Sequence, residues 1–266
     1  MKIRICVLAV ILTVCNPIYG KIQIVGDLLQ ERKALPGEVY SGNIRVYNAG
    51  DEQEEVRVYQ TDYAFDKDGH TYYGEPGQLP RSNALWIKYS PKRLQIPAGS
   101  EMTIAYTVTL PDTSELRGTY WSILMVEPMI PESDNPEKKD RQMAVTTVFR
   151  YGIQIATHIG SSGTSRLQFQ NPIILQDSTS RFFQFEIYNT GEQFLRSQIL
   201  LDVYDMEGHE TEHFKGPLFS TYPGCSKTVK MDVLSLPANV YRVVLIADCG
   251  GDRVFGIQYH LNIKML

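Results

Sequence analysis

Ile44-Arg-Val-Tyr-Asn-Ala-Gly50 is written a second time, with conservative changes, as Phe185-Glu-Ile-Tyr-Asn-Thr-Gly191. Further landmarks follow in the same order. Asp66-Lys-Asp-Gly-His70 answers Asp205-Met-Glu-Gly-His209, Pro97-Ala-Gly99 with Thr103-Ile104 answers Pro223-Gly224 with Thr228-Val229, Leu110-Pro111 answers Leu236-Pro237, and Tyr120 answers Tyr241. Ordered self-similarity over this span means two copies of one fold. This constrains the chain more than any other feature, because each copy must close a core within an ordinary domain length.

Each copy reads as short strands separated by turn signals. In the first, strands are expected at Val39–Tyr47, Glu54–Phe65, Leu85–Tyr89, Glu101–Leu110, Thr119–Glu127 and Met143–Ile155. The second repeats them at Arg166–Leu175, Phe182–Tyr188, Gln198–Tyr204, Lys227–Ser235, Val240–Ala247 and Val254–Ile263. Gly, Asn and Asp between the runs take left-handed backbone or bond their own main chain, as tight turns require. No helix-period segment of useful length competes. The expected class is all-β, two tandem immunoglobulin-like β-sandwich domains, with boundaries at 21–158 and 159–266. A 43% apolar content rich in Tyr, Val and Ile can fill two such cores.

Residues 1–20 carry a basic head, MKIR, and the apolar run ICVLAVILTVC, too short to span a bilayer as a mature helix. The segment reads as a secretory signal peptide cleaved after Gly20, which implies export to the periplasm or cell envelope. A lipoprotein signal at Cys15 is the rival, though Val14 is bulky where such signals carry a small residue. No later segment is long and apolar enough to be an integral membrane helix. A net charge of −4 without a Lys/Arg block excludes nucleic acid and anionic membrane surfaces as targets.

The run Met143–Ile155, MAVTTVFRYGIQI, alternates strictly: its odd-numbered residues are apolar or β-branched. It follows the polar loop PESDNPEKKDRQ and leads into the small residues GSSGTS, so it is read as the last strand of the first domain. Leu35-Pro-Gly-Glu38, the turn at Asn48, Trp86-Ile-Lys-Tyr-Ser-Pro91, Ile96-Pro-Ala-Gly99 and Arg117-Gly-Thr-Tyr120 together resemble the first domain of PapD-like periplasmic chaperones. The resemblance implies that the last strand of domain one lends alternating apolar side chains to a pilus subunit by strand addition. The partner-binding residues it implies are Val145, Thr147, Phe149, Arg150 and Tyr151. In those chaperones an Arg near the first strand and a Lys in the last anchor the subunit's terminal carboxylate. Arg32 stands where the Arg is expected, but Gly152 takes the place of the Lys, with Arg150 two residues earlier. The same landmarks are also similar to WxL-associated cell-surface proteins, which end in a membrane anchor absent here.

His209-Glu-Thr-Glu-His213 fits the HExxH zinc-hydrolase pattern, with His209, Glu210 and His213 in the family roles. That chemistry needs a helix to bring two imidazoles to one ion, and the segment lies between Gly208 and Gly216-Pro217, too short for one. A strand would set the rings about 13 Å apart, so a hairpin arm is expected and no cofactor or metal is assigned. Asp66 and Asp68 lack the ligand series of a calcium loop. Trp86 and Trp121 could serve as binding aromatics, at least one being core. Cys6 and Cys15 fall within the signal, leaving Cys225 and Cys249. An even pair in an exported chain favours a disulfide, worth about 3 kcal/mol in the chain-entropy description.

The sequence therefore describes an exported, non-enzymatic protein of two immunoglobulin-like sandwiches that binds subunits of a pilus or other envelope assembly. The alternative is a structural or adhesive envelope module without chaperone action; a zinc hydrolase is the remote third.

Overall fold

The computed structural model describes residues 21–129 and 148–265. Residues 1–20, read above as a signal peptide, and the Met143–Thr147 part of the alternating run lie outside these residues. Seventeen strands, numbered in chain order, form from the described residues. One sheet of the first sandwich runs β1 (Ile22–Val25), β3 (Val39–Asn48), β8 (Glu101–Thr109), β6 (Ile87–Ser90). The facing sheet runs β2 (Leu29–Ala34), β10 (Tyr151–Ile159), β9 (Gly118–Pro128), β4 (Glu54–Phe65), β5 (Thr71–Gly74), with β7 (Arg93–Ile96) also on β4. Between them Ile44, Val46, Val58, Ile104, Leu124, Ile153 and Ile155 form a buried core.

The second sandwich pairs a three-stranded sheet with a four-stranded one. The first holds β11 (Leu167–Gln176), β12 (Arg181–Asn189) and β15 (Ser226–Asp232). The second runs β14 (Glu210–Thr221), β13 (Leu195–Tyr204), β16 (Asn239–Asp248), β17 (Val254–Ile263). Phe183, Phe185, Ile187, Leu201, Val203, Val229 and Leu245 fill its core.

The repeat read in the sequence is a repeat in space. Ile44 stands opposite Ile104 across β3 and β8, as Phe185 stands opposite Val229 across β12 and β15. The Asn-x-Gly landmarks do the same work twice. Asn48 Nδ2 donates to the carbonyls of Ile96 (2.9 Å) and Glu52 (2.7 Å), while its Oδ1 accepts from Gly50 N (2.9 Å). Asn189 Nδ2 donates to Thr221 (3.0 Å) and Gln193 (2.9 Å), and its Oδ1 accepts from Gly191 N (3.0 Å). Both amides are fully buried. Each ties a turn to the strands around it through groups that have no water to replace them.

Three expectations need correction. The last strand of domain one begins at Tyr151, with Val148, Phe149 and Arg150 outside it, and runs on past Ile155 to Ile159. Its second half is buried on both faces, because Ala156 and Gln154 look towards the second domain while Ile155 and Ile159 look into the first. A strand without a wet face carries no alternation to read. Second, Trp121 is core, 4% exposed, and Trp86 packs on the first core with its ring 4.8 Å from that of Tyr120, so neither is a free binding aromatic.

The third correction concerns the disulfide: Cys225 and Cys249 are both free and buried. Cys225 precedes β15 and Cys249 follows β16, and these consecutive strands belong to opposite sheets. Stacked sheets stand about 10 Å apart, whereas a bridge needs Cα atoms within about 7 Å. Cys225 packs among Trp121, Phe194 and Tyr222, while the Cys249 sulfur sits 3.2 Å from Ser197 Oγ. Burial pushes both thiols up, away from the reactive thiolate. The native chain from Lys21 onward should therefore resist a thiol reagent and, unfolded without reductant, titrate both thiols. An unfolded chain with neither thiol titratable would reinstate the bridge.

Candidate functional site: the edge of the last strand of domain one

The first strand of the chain changes sheets, and that change makes the site. β1 pairs antiparallel with β3 in one sheet; after Gly26, whose φ is +110°, the chain crosses to the other sheet and continues as β2. β2 lies parallel to β10, but its register starts only at Leu29 opposite Gln154 and ends at Ala34 opposite Ile159. Gln154 N donates to Leu28 O (2.7 Å), the first bond of this seam. β9 covers the other side of β10 along its whole length, from Tyr151 opposite Val126 to Ile159 opposite Gly118. The segment Tyr151–Ile153 is thus paired on one side, and among the described residues nothing pairs it on the other.

Main-chain groups alternate in direction along a strand, so Gly152 N–H points to the same side as Gln154 N–H, the open side. The odd residues Ile153, Ile155 and Ile159 point into the sandwich. Tyr151 extends this row half-buried against the core, and Phe149, beyond the strand end, is 42% exposed. Of the residues expected to bind a partner, Phe149, Arg150 and Tyr151 therefore lie at an open edge. Val145 and Thr147 fall outside the described residues.

Arg32 does not join them. It pairs with Thr157, whose hydroxyl bonds Tyr40 Oη (2.7 Å) inside the sandwich, so Arg32 lies on the core-facing side of β2. There its charge partly opposes the burial that pushes the phenol of Tyr106 up to about 12 and raises that of Tyr40. Arg150 precedes β10 and lies seven residues from Thr157, up to about 23 Å along an extended chain. Two cations so placed cannot hold one carboxylate. The side of β10 and β2 that faces the second domain presents instead Gln154, Leu29 and Glu31. Gln154 Oε1 accepts from Tyr222 Oη (2.6 Å), and Glu31 is held by Arg196 and by His158 Nε2 (3.0 Å).

Next to the open edge lies a cleft between the domains, of about 970 Å³, reached by Leu29, Gln154, Tyr63, Phe194 and Tyr222. Its floor is a third core at the domain junction. Trp121 stacks on Tyr222 with ring centroids 4.4 Å apart, Phe194 lies 4.7 Å from Tyr222, and Trp121 Nε1 donates to Tyr63 O (2.6 Å). Main chain also crosses the junction: Thr119 N donates to Glu192 O (2.8 Å) and Phe194 N to Thr119 Oγ1 (2.9 Å). Gly118, at φ +72°, allows this approach, since a Cβ there would fall 2.0 Å from Glu192 O. Aromatic stacking and backbone bonds together fix the two domains around the cleft. Sequence reasoning named Trp121 but neither Phe194 nor Tyr222, because these two lie just outside strand ends where no periodicity marks them.

The HExxH match does not assemble a metal centre. His209 ends the preceding turn and Glu210–His213 begin β14, an extended strand; His209 Nδ1 lies 3.0 Å from Asp205 and His213 Nδ1 2.5 Å from Asp202. Each imidazole thus has its own aspartate. The turn Asp66–His70 gathers two carboxylates and an imidazole, but Asp66 Oδ1 already accepts from the amides of Asp68 and His70 (3.0 Å each), which is a turn's own bonding. Among the described residues no helix is long and apolar enough to cross a membrane.

No protein-family model matches the sequence, and no curated protein matches it. Among solved structures, the chain is similar to one in the chaperone–tip adhesin complex of CFA/I fimbriae biogenesis (15% identity, 90% of this chain and 97% of that one, TM-score 0.49). It is also similar to the class 5 fimbriae chaperone CfaA (16% identity, 92% and 99%, TM-score 0.48). A third similarity is to a chain of the CsuC–CsuE chaperone–tip adhesion subunit pre-assembly complex from the archaic chaperone-usher Csu pili of Acinetobacter baumannii (15% identity, 89% and 97%, TM-score 0.45).

Proposed function

We propose that this chain is an exported, non-enzymatic chaperone-like protein that binds subunits of a pilus or other envelope assembly by strand addition to β10. The observation that carries the reading is the partial seam: β2 seals β10 from Gln154 onward and leaves Tyr151–Ile153 unpaired on that side among the described residues. An unpaired edge next to exposed apolar side chains is a hazard that proteins retain where a partner uses it. The partner's main chain would bond Gly152, and its side chains would meet Phe149 and Tyr151. Arg32 stands opposite Thr157, seven residues from Arg150, so capture rests on this ladder and not on a basic pair.

Phe149→Glu tests the role of the side chains. Phe149 is outside the strand and 42% exposed, so the charge should leave circular dichroism and melting essentially unchanged while abolishing capture of envelope subunits from the native envelope. A collapsed fold in that variant would mean that Phe149 belongs to the core of domain one, and retained capture would remove it from the site.

A further inference from the structure

We infer that the β4–β5 hairpin is a releasable clasp across the cleft, locked by Lys67, Glu186 and Asn171. The hairpin leaves its sheet where β4 stops pairing with β9, after Thr61 opposite Ile123, and reaches the second domain. Its base is fixed by the buried Asp62, which accepts from Gly77 N (3.0 Å), Leu79 N (2.7 Å) and Ser82 Oγ. Its tip touches the outer edge of β15: Thr228 N donates to Lys67 O (3.1 Å). Lys67 Nζ then reaches past β15 to Glu186 Oε1 on β12 (2.8 Å).

The other oxygen of that carboxylate is occupied as well. β11 carries a bulge between Gln170 and Ile173, and within it Asn171 sits at φ +52°, the only non-glycine at positive φ among the described residues. Its Nδ2 donates to Glu186 Oε2 (3.0 Å). Backbone strain of this kind persists where the surroundings impose it, and bulges re-aim a side chain. Here the re-aimed amide holds Glu186 in place for Lys67. The Lys67 ammonium beside it keeps the Glu186 carboxyl below its ordinary range, so the lock stays charged in mild acid.

The second domain supplies an internal control. Its twin turn, Asp205–His209, has the same bonds: Asp205 N to His209 O (3.0 Å), Gly208 N to Asp205 O (3.3 Å), and His209 N to Asp205 Oδ1 (2.8 Å). Where Lys67 stands in the first turn, the twin has Met206, 57% exposed. The lysine is therefore not needed to make the turn, and its closest contacts, to Thr228 and Glu186, serve the crossing, while its ion pair within the turn, to Asp68, is longer at 4.0 Å. Whereas the arm below it, Tyr63–Phe65, packs on the buried Trp121–Tyr222 junction, the lock at the tip is one ion pair, with Lys67 45% exposed, beside one backbone bond. Contacts so sparse and wet open locally, well before the buried junction does. Opening would widen the cleft that adjoins β10; the consequence for a bound subunit rests on the strand-addition reading, but the clasp itself does not.

The test uses the free protein and residue-resolved amide exchange. Lys67→Met, which copies the twin turn, should raise exchange at Thr228 by about tenfold or more. Asp68 and His70 amides, held by Asp66, should keep their rates, as should Phe194 and Cys225 at the junction. Glu186→Gln should behave like Lys67→Met, and Lys67→Arg should restore protection. Unchanged exchange at Thr228 in both loosened variants would overturn the clasp. So would faster exchange that spreads to Phe194 and Cys225, because the hairpin would then be one part of a junction that opens as a whole. No partner is present in this experiment, so its failure and that of the strand-addition reading are distinguishable.

Discussion

Asn48→Ala is expected to destabilise the first domain by about 3 kcal/mol, a large part of the 5–15 kcal/mol typical of a whole domain. The substitution removes two donors and one acceptor at a site without solvent, leaving the Ile96 and Glu52 carbonyls and Gly50 N–H to find new partners. A buried group left unpaired costs about 1–3 kcal/mol, and partial relaxation of the turn recovers some of that. Asn48→Asp should do no better, since it keeps the acceptor, loses both donors and buries a charge. Urea unfolding followed by tryptophan fluorescence reports on this domain, which holds both tryptophans of the chain, Trp86 against its core and Trp121 at the junction with Tyr222. The symmetrical Asn189→Ala should weaken the second domain and move the Trp121 part of the signal, since the bonds it loses, to Gln193 and Thr221, lie beside Phe194 and Tyr222. A loss below about 1 kcal/mol for Asn48→Ala would mean that the amide is dispensable.

These two asparagines also show why so much of the fold was legible. An Asn two residues before a Gly, after an alternating run, signals a turn whose side chain bonds its own main chain. Writing the signal twice in one chain exposed the duplication. Strands with one wet face, such as Val39–Asn48 and Arg181–Asn189, alternate in burial as their residues alternate in polarity. β1 and β2 went unread for the opposite reason. Leu29–Ala34 reads LQERKA, with charged residues on both faces, because its outer face meets the second domain through Glu31 while its inner face is lined by Gln30 and Arg32. A sheet-changing strand carries two short half-patterns, neither long enough to read.

The site was legible by half. The alternation pointed to the strand whose end is open among the described residues, with Phe149, Arg150 and Tyr151 beside that end; partner binding there is the proposal. Placing Arg32 relative to Arg150 required the register of β2 on β10, which sets Arg32 opposite Thr157 and seven residues from Arg150. The Cys225–Cys249 bridge failed on the same kind of ignorance: an even pair does not say which sheet each cysteine adjoins, and the chain crosses to the opposite sheet between them. Pairing partners are set by distant contacts, which local sequence does not record.

The largest functional effect is expected from proline at Gly152. Its N–H lies on the open side of β10, so proline removes a donor that β9 does not use, a position where sheets tolerate it. The partner's ladder would lose a bond at its centre and meet a ring where it needs close approach. Crowding must be separated from this, because a Cβ at Gly152 would lie 3.2 Å from Ile123 and 3.3 Å from Met125. Gly152→Ala introduces the same Cβ and keeps the N–H. The φ of Gly152 is not positive, so alanine meets no backbone strain there. The decisive measurement is therefore capture of envelope subunits by three folded proteins, the parent, Gly152→Ala and Gly152→Pro, with melting recorded for each. Strand addition predicts that alanine keeps most of the capture and proline loses nearly all of it at similar stability; equal capture by the alanine and proline variants would contradict it.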